Sequence, residues 1–404
     1  VWWMKTLIEK STRDFKGFST PMEETTGKYD IPGEMERDRL EIPGLPEIEV
    51  LRHYHGLAGK NYSIYDGVYP LGSCTMKYNP VAIDKAVSDL FADIHPYMPQ
   101  EEVQGILGLL HELSRCLSEI TGMPAFTLQP SAGAHGELTG LMIIKAALGS
   151  GRSEVIVPDS SHGTNPASAA TAGFKVRQVQ SGRDGLIDLD KLKECVSRDT
   201  AGLMLTNPNT LGLFEEDILE VADIVHDAGG LLYYDGANLN AIMGKMRPFD
   251  MGFDVVHVNL HKSFGTPHGG GGPGAGPVGV RSELEKYLPK PVIMEEAGGY
   301  VLDYERPDSI GCVSLFHGNF TVLVRALCYI KLLGCRGLEG ACEKAVLNAR
   351  YLKKRIMDSF DVPFEKPCMH EFVASARRQK HENKVRALDI GKRLIDLGCG
   401  QSPR

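Results

Sequence analysis

The chain has 404 residues, 42% of them hydrophobic and 24% charged, the balance of an ordinary globular protein and far from disordered or collagen-like sequence. A formal net charge of −8 and a pI near 5.9 argue against a general nucleic-acid binder, and no apolar run approaches the ~18 residues that cross a bilayer, so neither nucleic acid nor a membrane is expected as a partner. Nine scattered cysteines with no Cys-x-x-Cys argue against a disulfide framework or a metal site and point to a reducing, cytoplasmic compartment.

The opening "VWWMKTLIEKSTRD" lacks the basic-then-apolar order of a signal peptide. Residues 1–80 read as an N-terminal arm, rich in charge, Pro and Gly and without a sustained period in its first fifty residues. Residues 81–300 read as a large domain. "GILGLLHELSRCLSEITG" has the spacing of an amphipathic helix ending at Gly122. "AFTLQP" predicts a strand and "GAHGELTGLMIIKAAL" the helix after it. Further strands are predicted at Val155–Val157, at Leu203–Leu205, in "LLYYDGAN" stopping at Asp235, and in "DVVHVNLHK" stopping near Lys262, with "GPVGV" as a return strand. "EEDILEVADIVHDAGG" is a helix with acids in its first turn and glycines at its end. Beyond residue 301 come two helices in "FTVLVRALCYIKLLG" and "ACEKAVLNARYLKKRIMDSF", a strand in "PCMHEFVAS" and a helix in "KVRALDIGKRLIDLG", together a smaller α+β domain. Short apolar strands alternating with helices predict an α/β fold with a mainly parallel sheet covered on both faces.

The residues able to do chemistry fall at the carboxyl ends of those strands: Ser131, His162, Thr206 to Thr210, Asp235 and Lys262. Such ends converge on one crevice. A lysine that forms a Schiff base must be held rigidly, and a carboxylate at a neighbouring strand end can keep a pyridine nitrogen protonated. Taken alone, a Lys and an Asp 27 residues apart carry little weight. "QPSAGAHGELTG" passes from a strand through small residues into a helix, where free backbone N–H groups can bind phosphate or where Ser131 is simply a cap. His162, in "PDSSHGTNPAS", can stack on an aromatic ring or be a structural histidine. Ser161, His162 and Asp235 make a poor triad, because no G-x-S-x-G elbow is present. The run "GGGGPGAG" follows Lys262 and is no standard phosphate loop.

The blocks "RHYHGLAGKNYSIYDGVYPLGSCTMKYNP", "LQPSAGAHGELTG", "PDSSHGTNPASA", "MLTNPNTLGLFEE", "YYDGANLNAI" and "HVNLHKSFGTPHGGGGPGAGPVGV" resemble the subunit bearing pyridoxal 5′-phosphate in glycine dehydrogenase (decarboxylating), the P-protein of the glycine cleavage system. They spread over residues 52–280, with weaker similarity to about 398. The resemblance implies the aspartate-aminotransferase-like fold (fold type I) and the Schiff-base lysine at Lys262. It implies that Asp235 pairs with the pyridine nitrogen, that Ala237 packs beneath the ring and His162 on its other face, and that Ser131, Ala132, Gly133 and Ala134 line the phosphate site. Asn209 and Thr210 would approach the cofactor's O3′ or the substrate, and His261 precedes the lysine as in related decarboxylases. Ser263, Ser161 and Phe249 stand where the family has Thr, Ala and Gly. The implied activity is glycine decarboxylation with transfer of the aminomethyl group to the lipoyl arm of the H-protein, beside a companion subunit 1 in a two-plus-two heterotetramer. A gap lined by residues 53–79 and Gly269–Gly276 would admit that arm. The family continues past "KRLIDLG" with further strands, whereas this chain reads "CGQSPR", and "VWW" is foreign to the family, so residues 301–404 are expected to form an incomplete small domain. Two other readings are another fold-type-I amino-acid decarboxylase and a non-catalytic scaffold subunit; Lys262 and Asp235 argue against the second.

Overall fold

The computed structural model describes residues 5–11, 32–35, 42–61, 67, 79–91, 93–95, 97–269 and 274–398. Most of the 62–78 block, the centre of the glycine run and both unusual chain ends lie outside the described residues. The chain divides into two compact units, one containing the residues up to Tyr69 and the other running from Pro70 to Asp396. In the first, Thr6 and Glu9 form a capping box on the helix Leu7–Lys10, and the helix Glu47–Ala58 carries Glu47 and Glu49 in its first turn, where the helix dipole favours anions.

The second unit is built on a seven-stranded sheet: β1 (Ala125–Thr127), β2 (Glu154–Pro158), β3 (Lys175–Val179), β4 (Thr200–Thr206), β5 (Leu231–Gly236), β6 (Val255–Val258) and β7 (Val278–Val280), in the order β1-β7-β6-β5-β4-β2-β3. Only β7 runs against its neighbours. The carboxyl ends of β1, β2, β4, β5 and β6 therefore share one edge. Side chains alternate between two cores. Leu203, Leu205, Leu232, Tyr234, Val256 and Val258 join one, while Met204, Tyr233, Val255, Val155 and Val157 join the other with Ile144. Burial on both faces explains why these strands read as continuous apolar runs. The helix Gln104–Thr121 ends at Gly122, whose φ of 80° is the left-handed cap expected there.

Four expectations change. The strand predicted to reach Lys262 ends at Val258, and Lys262 lies in the one-turn helix Leu260–Ser263. The cause is local: the N–H groups of Lys262 and Ser263 both turn back to the Asn259 carbonyl, and the facing residue Pro277 has no N–H to extend the ladder. The edge strand β3 escaped notice because "KVRQV" is charged, with four of five residues exposed, a usual defence of sheet edges. A hairpin of β8 (Val292–Glu296) and β9 (Gly299–Asp303) also went unread. Finally, "PCMHEFVAS" forms no strand. One isolated bridge joins Asp361 to Ser375, and the segment docks on the loop after β4 through Met369 N–H to the Gly212 carbonyl at 2.7 Å. Its alternation is real, but it has no strand beside it to pair with among the described residues.

The two helices expected after residue 310 meet end to end as Phe320–Ile356, broken at Gly334 (φ 61°, ψ −177°). By length and composition this stretch could cross a membrane. The break leaves its apolar first half shorter than the ~20 residues needed, and Val322, Leu323, Ala326, Leu327 and Ile330 are buried in the core. Arg325 pairs with Asp84 at 2.6 Å, tying this helix to Val81–Phe91. The predicted helix near the end forms as Ala387–Asp396.

Candidate active site

Asp235 lies at the carboxyl end of β5, buried, in register with Thr206 on one side and His257 on the other. Its Oδ1 accepts the Ala237 N–H at 3.0 Å and sits 3.4 Å from His257 Nε2. Burial pushes the His257 imidazole below its usual range, with Lys262 lowering it further and Asp235 opposing. A neutral ring suits its hydrogen bonds: Asn259 Nδ2 donates to Nε2 at 2.9 Å, and Nδ1 meets Tyr233 Oη at 2.8 Å. Tyr233 in turn donates to the Gly136 carbonyl at 3.4 Å. Sequence reading missed this buried set of contacts beside Asp235. Lys262 is half-buried in the turn after β6. His261 beside it is buried and meets His268 edge to face at 4.5 Å.

A second carboxylate, Glu137, was also missed. It projects from the helix Gly133–Leu148 and is buried. Oε1 accepts from Thr164 Oγ1 and Oε2 from Ser168 Oγ, each at 2.8 Å. Burial lifts its pKa to about 7; the Asp235 charge adds to the rise, while the two hydroxyls and the Lys262 ammonium oppose it. The helix bearing Glu137 packs against the ends of β5 and β6: Tyr233 Oη reaches the Gly136 carbonyl, and Gly133 and Gly136 abut Asn259 and His257. A signal was available: Gly133, Gly136, Glu137, Gly140, Leu141 and Ile144 share one helical face, and Glu137 is the single acid on it. His162 is exposed just past β2, its Nδ1 2.8 Å from Thr164 Oγ1.

At the end of β1, Ser131 N–H donates to His135 Nδ1 at 3.1 Å, and Ser131 Oγ lies 3.0 Å from Ser314 Oγ. Burial keeps His135 below its usual range, which suits an acceptor nitrogen. Ala132 and Ala134 are exposed, and no side chain caps the helix that begins at Gly133.

Asn209 is buried just past β4. Its side chain donates to the Gly185 carbonyl at 2.9 Å and accepts from the N–H groups of Leu211 and Leu213, so it holds its own loop together. Thr210 Oγ1 donates to the Ser160 carbonyl, linking that loop to the one bearing His162. Below them Glu215 is buried, and burial raises its pKa from 4.5 to about 7, with Asp217 and Asp184 adding and the Ile187 N–H and Lys366 opposing. A carboxyl raised on folding is at no disadvantage below pH 4.5, and its stability is lost as the pH climbs through 7. Glu215→Gln keeps an oxygen for the Ile187 N–H. It should raise the stability at pH 8 by about 3 kcal/mol, and the melting temperature with it, with the gain vanishing toward pH 4.5; an equal gain at both pH values contradicts this.

Residues 22–296 match the family described as the glycine cleavage system P-protein, and residues 341–403 match the C-terminal domain of glycine dehydrogenase. The chain is 55% identical to the probable glycine dehydrogenase (decarboxylating) subunit 2 of Caldanaerobacter subterraneus, over 97% of this chain and 82% of that one. It is 58% identical to the protein of the same description from Desulforamulus reducens, over 91% and 77%. The chain belongs to the glycine cleavage system P-protein family. Among solved structures it resembles an inhibitor-bound glycine decarboxylase (P-protein) with a TM-score of 0.74 at 21% identity, over 95% of this chain and 87% of that one. An alanine–glyoxylate aminotransferase from Nostoc matches with a TM-score of 0.57 at 16% identity, over 83% and 84%. The fold is that of fold-type-I enzymes dependent on pyridoxal phosphate.

The residues of this P-protein relative fit that cofactor. The helix starting at Gly133 approaches the sheet without room for side chains: a Cβ at Gly133 would collide with Asn259 Oδ1, and one at Gly136 would lie 2.6 Å from the Gly276 carbonyl oxygen. Uncapped N–H groups at such a helix start suit a phosphate. Among the described side chains, Thr206 Oγ1 and Ser263 Oγ are buried without a hydrogen-bond partner. They lie at the end of β4, level with Asp235, and immediately after Lys262, where a polar ligand would satisfy them.

Proposed function

We propose that this chain decarboxylates glycine on pyridoxal 5′-phosphate and passes the aminomethyl group to the lipoyl arm of an H-protein. Glycine decarboxylation is the activity named for the family. The observation that carries the reading at the level of residues is the buried Asp235 carboxylate at the end of β5, with Lys262 in the turn after the neighbouring strand β6. When bound, the cofactor supplies an electron sink for the electrons of the broken Cα–carboxylate bond. Lys262 would hold it through its amine. Asp235, kept in place by the Ala237 N–H, would hold a proton on the ring nitrogen. Ala237 would pack beneath the ring and His162 on its other face. Ser131, with Ala132, Gly133 and Ala134 at the helix start, receives the phosphate. Residues 81–300 form the cofactor-bearing domain, flanked by an arm (1–80) and a smaller C-terminal region (301–404). A companion subunit 1 in a two-plus-two assembly and a lipoylated H-protein complete the reaction in the cytoplasm.

The test combines a spectrum with a partner dependence. The purified chain titrated with pyridoxal phosphate should develop a visible band. Exchange of labelled CO₂ into glycine should appear only when companion subunit and lipoylated H-protein are both added. Without a disulfide to accept the aminomethyl group, no transfer product accumulates. Steady methylamine production by this chain alone, indifferent to H-protein, would establish the simple-decarboxylase alternative instead.

A further inference from the structure

We propose that Glu137 is a positioning residue that acts on His162 through the Thr164 hydroxyl, so that the ionisation of Glu137 decides which nitrogen of His162 carries the proton. The contacts form an unbroken line: Glu137 Oε1 to Thr164 Oγ1 at 2.8 Å, and Thr164 Oγ1 to His162 Nδ1 at 2.8 Å. The other Glu137 oxygen is occupied by Ser168 Oγ at 2.8 Å. The carboxylate is buried while the histidine at the far end is exposed, so the line leads from the interior to the open site.

Hydroxyl chemistry restricts the line to two arrangements, because Thr164 has one hydrogen to give. With Glu137 ionised, the threonine proton points to Oε1 and Thr164 Oγ1 accepts from His162 Nδ1–H. The ring's Nε2 then offers a lone pair. With Glu137 protonated, its own proton points to Thr164 Oγ1. The threonine proton then points to His162 Nδ1, and Nε2 carries the hydrogen. The Thr164 backbone N–H lies 3.3 Å from Nδ1 and favours the second arrangement. The two differ by one proton and balance as a relay. A proton arriving at Nε2 displaces the Nδ1 proton to Thr164, and the threonine proton passes to Glu137.

The charges facing Glu137 allow both states near neutrality. Asp235 and Tyr233 face it from β5, Lys262 from the turn after β6, and Thr164 and Ser168 from the helix Thr164–Thr171. Tyr233 stays protonated, its pKa well above the usual tyrosine range through burial. Burial and Asp235 push Glu137 up to about 7 against the pull of Lys262 and the hydroxyls. Because His162 is read as covering the cofactor ring, the device rests on the functional reading above. In that reading it sets whether the ring presents a donor or an acceptor at Nε2.

The experiment uses the full chain carrying ¹⁵N-labelled histidine, with and without pyridoxal phosphate. His162→Gln identifies the His162 signals. In the wild type the Nδ1 and Nε2 shifts should exchange tautomer character in a step near pH 7. Glu137→Gln, isosteric and unable to ionise, should abolish that step. Thr164→Val should abolish it too, and Thr164→Ser, which restores the hydroxyl, should bring it back. A His162 titration unchanged by Glu137→Gln or Thr164→Val overturns the proposal. Should Glu137→Gln fail to fold, the Val/Ser pair at the half-buried Thr164 still decides the matter. The signals are read without cofactor as well, so failure of the relay is separable from failure of the wild-type chain to form its visible band.

Discussion

Lys262→Ala abolishes the visible absorbance of the protein titrated with pyridoxal phosphate, and borohydride then fixes no cofactor to the chain. Alanine offers no amine for covalent attachment. The loss of glycine-dependent CO₂ exchange should be on the order of 10⁴-fold or more, the scale reached when a covalent catalyst is removed and only binding remains. Folding should survive, because Lys262 is half-buried and its turn is held by the Asn259 carbonyl. The substitution also has a sign elsewhere. The Lys262 ammonium lowers the Glu137 pKa, so its removal leaves Glu137 protonated to higher pH. Equal borohydride-fixed cofactor in wild type and variant sinks the assignment of Lys262.

The crevice was legible in the sequence because a parallel sheet buried on both faces leaves unbroken apolar runs, and each run stops where its chemistry begins. Asp235 and Thr206 stand at the strand ends where the runs of "LLYYDG" and "AGLMLT" placed them. Lys262 does not, because Asn259 and Pro277 end the ladder four residues early, a matter of hydrogen bonds that hydrophobicity does not record. The supporting layer was less legible for a different reason. His257 and Tyr233 look like ordinary strand residues until β5 and β6 are laid side by side. The family resemblance implies that Asn209 approaches the cofactor's O3′ or the substrate. Only the fold reveals that the Gly185 carbonyl and two backbone N–H groups occupy its amide. The segment Pro367–Ser375 was misread because alternation predicts a strand only if another strand lies beside it.

Asp235→Asn should keep the visible band and lose most of the decarboxylation. The amide oxygen still accepts the Ala237 N–H, so the loop after β5 keeps its shape and the cofactor keeps its lysine. What is lost is the charge that holds a proton on the ring nitrogen, and with it the stabilisation of electrons released as CO₂ leaves. Removing such a positioned charge partner costs about 2–4 kcal/mol of barrier, or about 30- to 1,000-fold in rate. The loss should fall on kcat more than on KM, because the charge matters most where negative charge develops. A second consequence separates this role from mere disturbance of the site. Asp235 raises Glu137, so the Asn variant should move the Glu137 titration, and the His162 tautomer step coupled to it, to lower pH. A purely structural lesion has no reason to move that step in that direction. Turnover within about threefold of wild type contradicts the electrostatic role, since it leaves less than 1 kcal/mol to assign to the charge.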